Sequence, residues 1–204
     1  MGICISKGWR FFYNICDWSL KLATINLMWV FCTILGLSIL GVFPSTIAMI
    51  SVIRRWTLGE IDTPIIKTFW IYFVSEIKKG NILGLFLLLI GLIIFFNINF
   101  YHSFEHPIFD LISIMFILFS VFYGIIILHL LPIYANYNFT IVNYIKFSFM
   151  TAIKHPIVSI LMVIILAIIN ILLVYIPGLI LFFGVSLSAT ALTVIANHFI
   201  HFKK

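Results

Sequence analysis

The chain has 204 residues, 64% of them hydrophobic and 9% charged, with a mean hydropathy of +1.25 and a formal net charge of +6. A soluble domain carries about 25% charged residues, so this composition cannot coat a water-facing surface. The basic excess therefore reads as membrane topology, not as a nucleic-acid footprint.

The N-terminal twenty residues lack the small-residue cleavage site of a signal peptide. Met1-Gly2-Ile3-Cys4-Ile5-Ser6 fits an N-myristoylation pattern with an adjacent cysteine. A protein with several spans gains little from such an anchor, and the match reads as coincidence. A surface helix is expected over 6–20. Lys7, Arg10, Asn14, Asp17 and Lys21 share one face of it, and Trp9, Phe12, Cys16 and Leu20 the other.

No Asp, Glu, Lys or Arg lies between Lys21 and Arg54. That stretch is long for one span and short for two. Gly36, Gly41 and Pro44 interrupt it, and basic residues flank both ends, which favours a hairpin of spans at about 22–40 and 42–55. An interfacial helix follows at about 64–79, with Thr63 as cap and Pro64 in the first turn. Phe69, Trp70, Phe73 and Ile77 form its apolar stripe, opposite Thr68, Ser75 and Lys79. The next uncharged gaps, Lys79 to Glu105 and Asp110 to Lys146, predict spans at about 81–100 and 110–131. A third interfacial helix is expected at about 139–154, where Ile141, Val142, Ile145, Phe149 and Ile153 face away from Asn143, Thr151 and Lys154. The last gap, Lys154 to Lys203, is cut at Pro177-Gly178 into spans at about 157–175 and 178–198.

These elements predict an all-α integral membrane protein forming one polytopic domain over residues 1–204. Six spans in three hairpins, with the amphipathic interfacial helices and both termini cytoplasmic, put all twelve Lys and Arg residues inside and leave Glu105 and Asp110 outside. Each surface helix precedes a hairpin. Local echoes, such as Gly41-Val42-x2-Ser45-x2-Ala48 and Gly184-Val185-x2-Ser188-x2-Ala191, suggest a threefold repeat.

Little in this pattern carries chemistry. Cys4, Cys16 and Cys32 have neither disulfide nor metal spacing. Ionisable residues within spans mark pumps and coupled transporters. His129, one turn before Pro132, is the one candidate here, read as a structural histidine donating to a backbone carbonyl. Asn26, Ser45, Ser51, Asn170 and Ser188, with Thr46, Ser186, Thr190 and Thr193, are spaced to pack helices together or to line a cavity. Ser45 and Ala48 could meet Ser188 and Ala191. Arg54, Arg55, Lys78 and Lys154 are the candidate interfacial contacts. His102-Ser103-Phe104-Glu105-His106 spells the His-x-x-Glu-His metallopeptidase pattern, but in a short loop ending in Pro107, where the two histidines share no helix face. No nucleophile–base pair, nucleotide motif, cofactor site or metal site is legible, so no enzymatic activity is expected.

Several segments together resemble a known family. Asn26-Leu27-Met28-Trp29 opens the first span, followed by Pro44-Ser45-Thr46-Ile47-Ala48, Ile53-Arg54-Arg55-Trp56 and Gly59-Glu60. Phe69-x3-Phe73, Lys78, Leu131-Pro132, Ala152-x2-His155-Pro156 and Phe182-Phe183-Gly184-Val185-Ser186-Leu187 complete the series. In order and spacing this resembles the YesL-like bacterial membrane proteins, a family catalogued as a domain of unknown function. The family tends to have Gly before the proline and Thr two residues earlier, where this chain has Phe43 and Gly41.

The resemblance implies a bacterial cytoplasmic-membrane protein, often encoded beside sugar ABC transporters and polysaccharide-degrading enzymes. It implies no reaction and no catalytic residues. The first reading is a non-enzymatic accessory to oligosaccharide ABC uptake or its regulation, with the lipid bilayer and ABC sugar permease subunits as partners and no nucleic acid. The alternative is a small uncoupled transporter or channel for a neutral solute. A polar wall around one cavity favours transport; polar groups buried against one another favour the accessory.

Overall fold

The computed structural model describes residues 7–104 and 106–200. Among the described residues there are seven helices and no strand: α1 (Lys7–Leu35), α2 (Ile39–Thr57), α3 (Ile65–His102), α4 (Pro107–Asn136), α5 (Ile141–Lys154), α6 (Pro156–Tyr175) and α7 (Gly178–Phe199). All but α5 are long and apolar enough to cross a membrane. Their outward faces carry large apolar side chains such as Phe95, Phe96, Leu118 and Ile168. Hydrocarbon accepts these faces, and helices keep their backbone hydrogen bonds internal. The chain is a multi-pass α-helical membrane protein.

α2 is the hub, packed against α1, α3, α4 and α7. Of three apolar clusters, two include its side chains. The first joins Ile25 of α1, Met49, Ile53 and Trp56 of α2, Phe69 and Phe73 of α3, and Ala189 of α7. The second joins Ile47, Leu83, Leu87, Leu130, Ile133 and Tyr144 across α2 to α5. The third packs Val158 and Met162 of α6 on Leu192, Ile195 and Ala196 of α7.

The first hairpin turns earlier than expected. The reversal lies at Gly36–Ser38, with Leu37 and Ser38 at φ 57° and 63°, ahead of the break expected between spans ending near 40 and starting near 42. A Cβ on Gly36 would stand 2.4 Å from the Cα of Gly41, so these two glycines are what let the strands of the turn meet. Pro44 sits inside α2, where it removes one N–H from the second turn without ending the helix. α2 has 19 residues and rises about 28 Å, close to the thickness of the hydrocarbon core.

Two expected surface helices are not separate. Residues 6–20 and the first span form one rod in α1 from Lys7 onward, and 64–79 runs without a break through the third span as α3. No proline or left-handed residue interrupts either ladder, so each helix continues. At 38 residues α3 is about 57 Å long, far more than a span needs. Where 64–79 was expected to end, Gly80 and, four residues on, Gly84 lie against α2. The ring of Phe43 occupies the place a Cβ on Gly84 would take, at 2.0 Å. Such small residues let helix axes approach closely.

α5 is separate, as expected, with its apolar face largely outward and Thr151, of the expected polar face, against the bundle. Tyr144, Ser148 and Thr151 are buried against the bundle, while Val142, Phe149 and Ile153 are exposed. Ser148 and Thr151 can be buried because their hydroxyls donate to the carbonyls of Tyr144 and Phe147, at 2.7 and 2.8 Å. Their small volume then fits the contact with α4 and α6. The α3 stripe also divides: Phe69 and Phe73 are buried, and so is Thr68, but Trp70 and Ile77 are exposed.

Candidate functional site

The polar chemistry of the molecule gathers at the end of the bundle where α2, α4 and α7 finish. Arg54 Nε donates to Asn136 Oδ1 at 2.7 Å. Asn136 Nδ2 donates to Pro132 O at 2.9 Å and to Asn197 Oδ1 at 3.3 Å. Asn197 Nδ2 donates to Thr57 Oγ1 at 2.7 Å, and Thr57 donates back to Arg54 O at 2.7 Å. One closed relay thus ties the last turns of three helices. Arg55 faces outward to Glu60, 2.6 Å away and largely exposed, an ion pair of small energetic weight.

A second cluster lies where α3, α4 and α5 meet. Tyr134 donates to Glu76 Oε2 at 2.5 Å, and its ring stacks on Tyr144 with centroids 4.5 Å apart. Lys79 Nζ lies 5.6 and 5.5 Å from the two ring centroids and donates to Asn138 Oδ1 at 2.6 Å. Charge over two aromatic faces is favourable. Tyr144, on the short helix outside the spans, donates to Tyr137 O at 2.7 Å. Burial pushes its phenol pKa up, and the nearby Glu76 carboxylate adds to the shift. Lys78 and Lys154 are exposed, and among the described residues neither has an ion-pair partner. Of the basic residues singled out in the sequence, Arg54 and Arg55 are engaged and these two are free. Asn136, Asn197 and Lys79 do much of the joining. The sequence reading singled out neither asparagine, and placed Lys79 only on the polar face of the 64–79 helix.

The interior polar residues do not share a cavity. Asn26 is buried on α1 and docks on α7. Its Nδ2 donates to Leu181 O at 2.7 Å, and its Oδ1 accepts from the N–H groups of Val185 and Ser186, both at 3.1 Å. Leu181 and Val185 are a donor–acceptor pair of the helical ladder, so the amide is set into the backbone of α7. Ser51 and Ser188 donate to carbonyls of their own helices, Ile47 and Gly184. Asn170 was expected to face a neighbouring helix. It is exposed and turns back to Leu166 O at 2.8 Å, because the face of α6 that carries it meets no other element. Ser45 is fully buried on α2, and its hydroxyl has no partner among the described residues. Ala48 shares a cluster with Ala189 and not Ala191. His129 is fully buried, but its partner is a side chain and not a backbone carbonyl. Its Nε2 lies 2.8 Å from Ser159 Oγ on α6, which the helix packing brings opposite.

The hollows between helices are apolar. A cavity of about 320 Å³ separates α2, α3 and α4, lined by Phe43, Gly84, Leu87, Ile127 and Leu130, with Thr46, Tyr123 and Tyr134 also at its wall. Those three hydroxyls are already committed, to Val42 O, Leu87 O and Glu76. Two larger grooves open on the α4–α5 flank, also with apolar walls.

The two histidines of the metallopeptidase pattern fall at the end of α3 and the start of α4. His102 ends α3, and His106 caps α4, its Nδ1 accepting from Ile108 N at 3.3 Å. Glu105 lies outside the described residues, as do Met1–Ser6 and their acylation pattern, Cys4, Lys203 and Lys204. Among the described residues no three His, Cys, Asp or Glu side chains are placed to hold a metal ion.

Residues 22–98 match the profile of a family described as "Protein of unknown function, DUF624". Three proteins of Bacillus subtilis (strain 168) are similar to this chain. The uncharacterized protein YteU is 30% identical over 172 residues, covering 84% of this chain and 77% of YteU. The uncharacterized protein YesV is 30% identical over 172 residues, covering 84% and 83%. The uncharacterized protein YesL is 28% identical over 149 residues, covering 73% and 70%. No solved structure matches.

Proposed function

Since the chain belongs to the DUF624 family, whose description names no activity, we propose that it works by contact and not by catalysis, as an accessory protein. Its setting on this reading is the bacterial cytoplasmic membrane, with both termini cytoplasmic. Its partner is an ABC permease for oligosaccharides, whose assembly, stability or regulation it assists. The likeness to YesL-like proteins supplies the carbohydrate link.

The observation that carries the accessory role is the disposition of polar groups. Asn26, Ser51 and Ser188 are turned to helix backbones, and the hollows between helices have apolar walls. The free basic side chains, Lys78 and Lys154, stand on the outside. A channel for a neutral solute needs a continuous polar wall to replace hydration. Helix-packing amides and exposed cations suit a protein whose work is done at its surface.

The test is a mild-detergent pull-down of the tagged protein from its native membrane, read by mass spectrometry. Recovery of an ABC permease with its solute-binding protein is the expected result. Recovery of the protein alone, together with neutral-solute flux in liposomes that contain nothing else, overturns the accessory reading in favour of transport.

A further inference from the structure

Two grooves run side by side on one flank of the bundle. The first, about 460 Å³, lies between α4, α5 and α6, with walls that include Val121, Ile125, Ile153, Ile160 and Val163. The second, about 660 Å³, lies between α3, α4 and α5, with Leu87, Ile94, Phe119 and Ile145. Phe122, Ile126 and Phe149 line both and form the ridge between them. Each volume is that of a small-molecule site. The hydroxyls at the walls are already engaged, Ser159 with His129 and Tyr123 with Leu87 O. Each groove therefore offers a guest little beyond an apolar lining.

The depth of the grooves and the charge at their rim define the guest. α6 begins at Pro156 and is one span long, so its start lies at headgroup level. The first groove reaches from Ala152 and Pro156 to Ile164, about 12 Å along α6. Lys154 and His155 lie in the chain between two residues of its wall, Ile153 and Pro156. Lys154 is exposed, Lys146 lies two turns before it on the same helix, and neither α5 nor α6 contains an acidic residue. Among the described residues the two ion pairs are elsewhere, Asp17–Lys21 and Arg55–Glu60. The opening turn of α6 adds partial positive charge beside them.

We propose that this flank binds an anionic glycerophospholipid of the bilayer, with its two acyl chains on either side of the Phe122–Ile126–Phe149 ridge and its phosphate at Lys154. The paired grooves match a two-chain lipid, and the unopposed lysines match a negative headgroup. The orientation of α5 follows from the same arrangement. Its small polar edge faces the protein, which leaves Phe149 and Ile153 to line the grooves.

The experiment uses the purified chain alone, so its outcome is independent of any permease. Native mass spectrometry compares retention of phosphatidylglycerol and phosphatidylcholine with identical chains. Phosphatidylglycerol is expected to be retained in preference. Lys154→Gln is expected to lower its retention about five-fold, the weight of one lysine near an anionic surface, and to leave phosphatidylcholine unchanged. Val163→Phe, which fills the first groove, is expected to weaken both lipids. Equal retention of the two headgroups, no response to Lys154→Gln, or no retained lipid at all overturns the proposal. Lys154 is exposed at a helix end, so that variant folds whether or not the groove-filling one does.

Discussion

Asn26 and Asn170 are both asparagines in apolar runs, yet they do opposite things. Asn26 gives its whole amide to α7, while Asn170 bonds back to its own helix on an open face. Replacing Asn26 by Leu removes the three hydrogen bonds that dock α1 on α7. The expected loss is about 1.5–4.5 kcal/mol, at about 0.5–1.5 kcal/mol net for each bond. Asn170→Leu is expected to change stability by no more than about 0.5 kcal/mol. Thermal unfolding of the two variants in the same detergent checks the pair. Equal effects would mean that the docking of Asn26 on α7 carries no weight. The sequence contains both residues but not their partners, because the partners of Asn26 are backbone groups more than 150 positions away. His129 was legible as a buried structural histidine for the same limited reason. Its type and depth can be read along the chain, but Ser159 enters only when α6 packs on α4.

The contact between α2 and α3 sets the bundle's centre, and it turns on one glycine. In an exposed helix Gly→Ala gains up to about 1 kcal/mol. At Gly84 the new methyl would fall on the Phe43 ring, 2.0 Å from its Cγ, so the sign reverses. Gly84→Ala is expected to lower the melting temperature, and adding Phe43→Ala to restore part of the loss. A double variant no better than Gly84→Ala would show that the ring is not the obstacle. The same contact bears on the length of α3, since Gly80 lies against Ile47 and Pro44 of α2 within an unbroken helix. Helix identity was legible from charge gaps and apolar runs, as the close agreement at α6 and α7 shows. Helix ends were less so where breakers mislead. Gly41 and Pro44 lie within α2, while the reversal falls on Leu37 and Ser38, whose left-handed backbone directly follows Gly36.

For the whole molecule, six crossings place the loops after α2 and α4 on one side and the loops after α3 and α6 on the other. Reporters fused after residues 60 and 138 are expected to read cytoplasmic, and those after 104 and 177 external. A cytoplasmic reading after 104 would remove one crossing and with it the arrangement of basic residues that favours this orientation. The sequence by itself determined the solvent, the helical class and the approximate number of crossings. Those follow from composition along the chain, because a bilayer tests each segment separately for charge and length. Only the tertiary structure decided which polar residues meet. The Arg54–Asn136–Asn197–Thr57 relay, the lysine over the Tyr134–Tyr144 stack, the packing of α5 and the paired grooves all join residues from different helices. With lipid as apolar as the side chains it touches, hydrophobicity cannot choose the contacting face. Small residues, hydrogen bonds and shape choose it, and these act between helices.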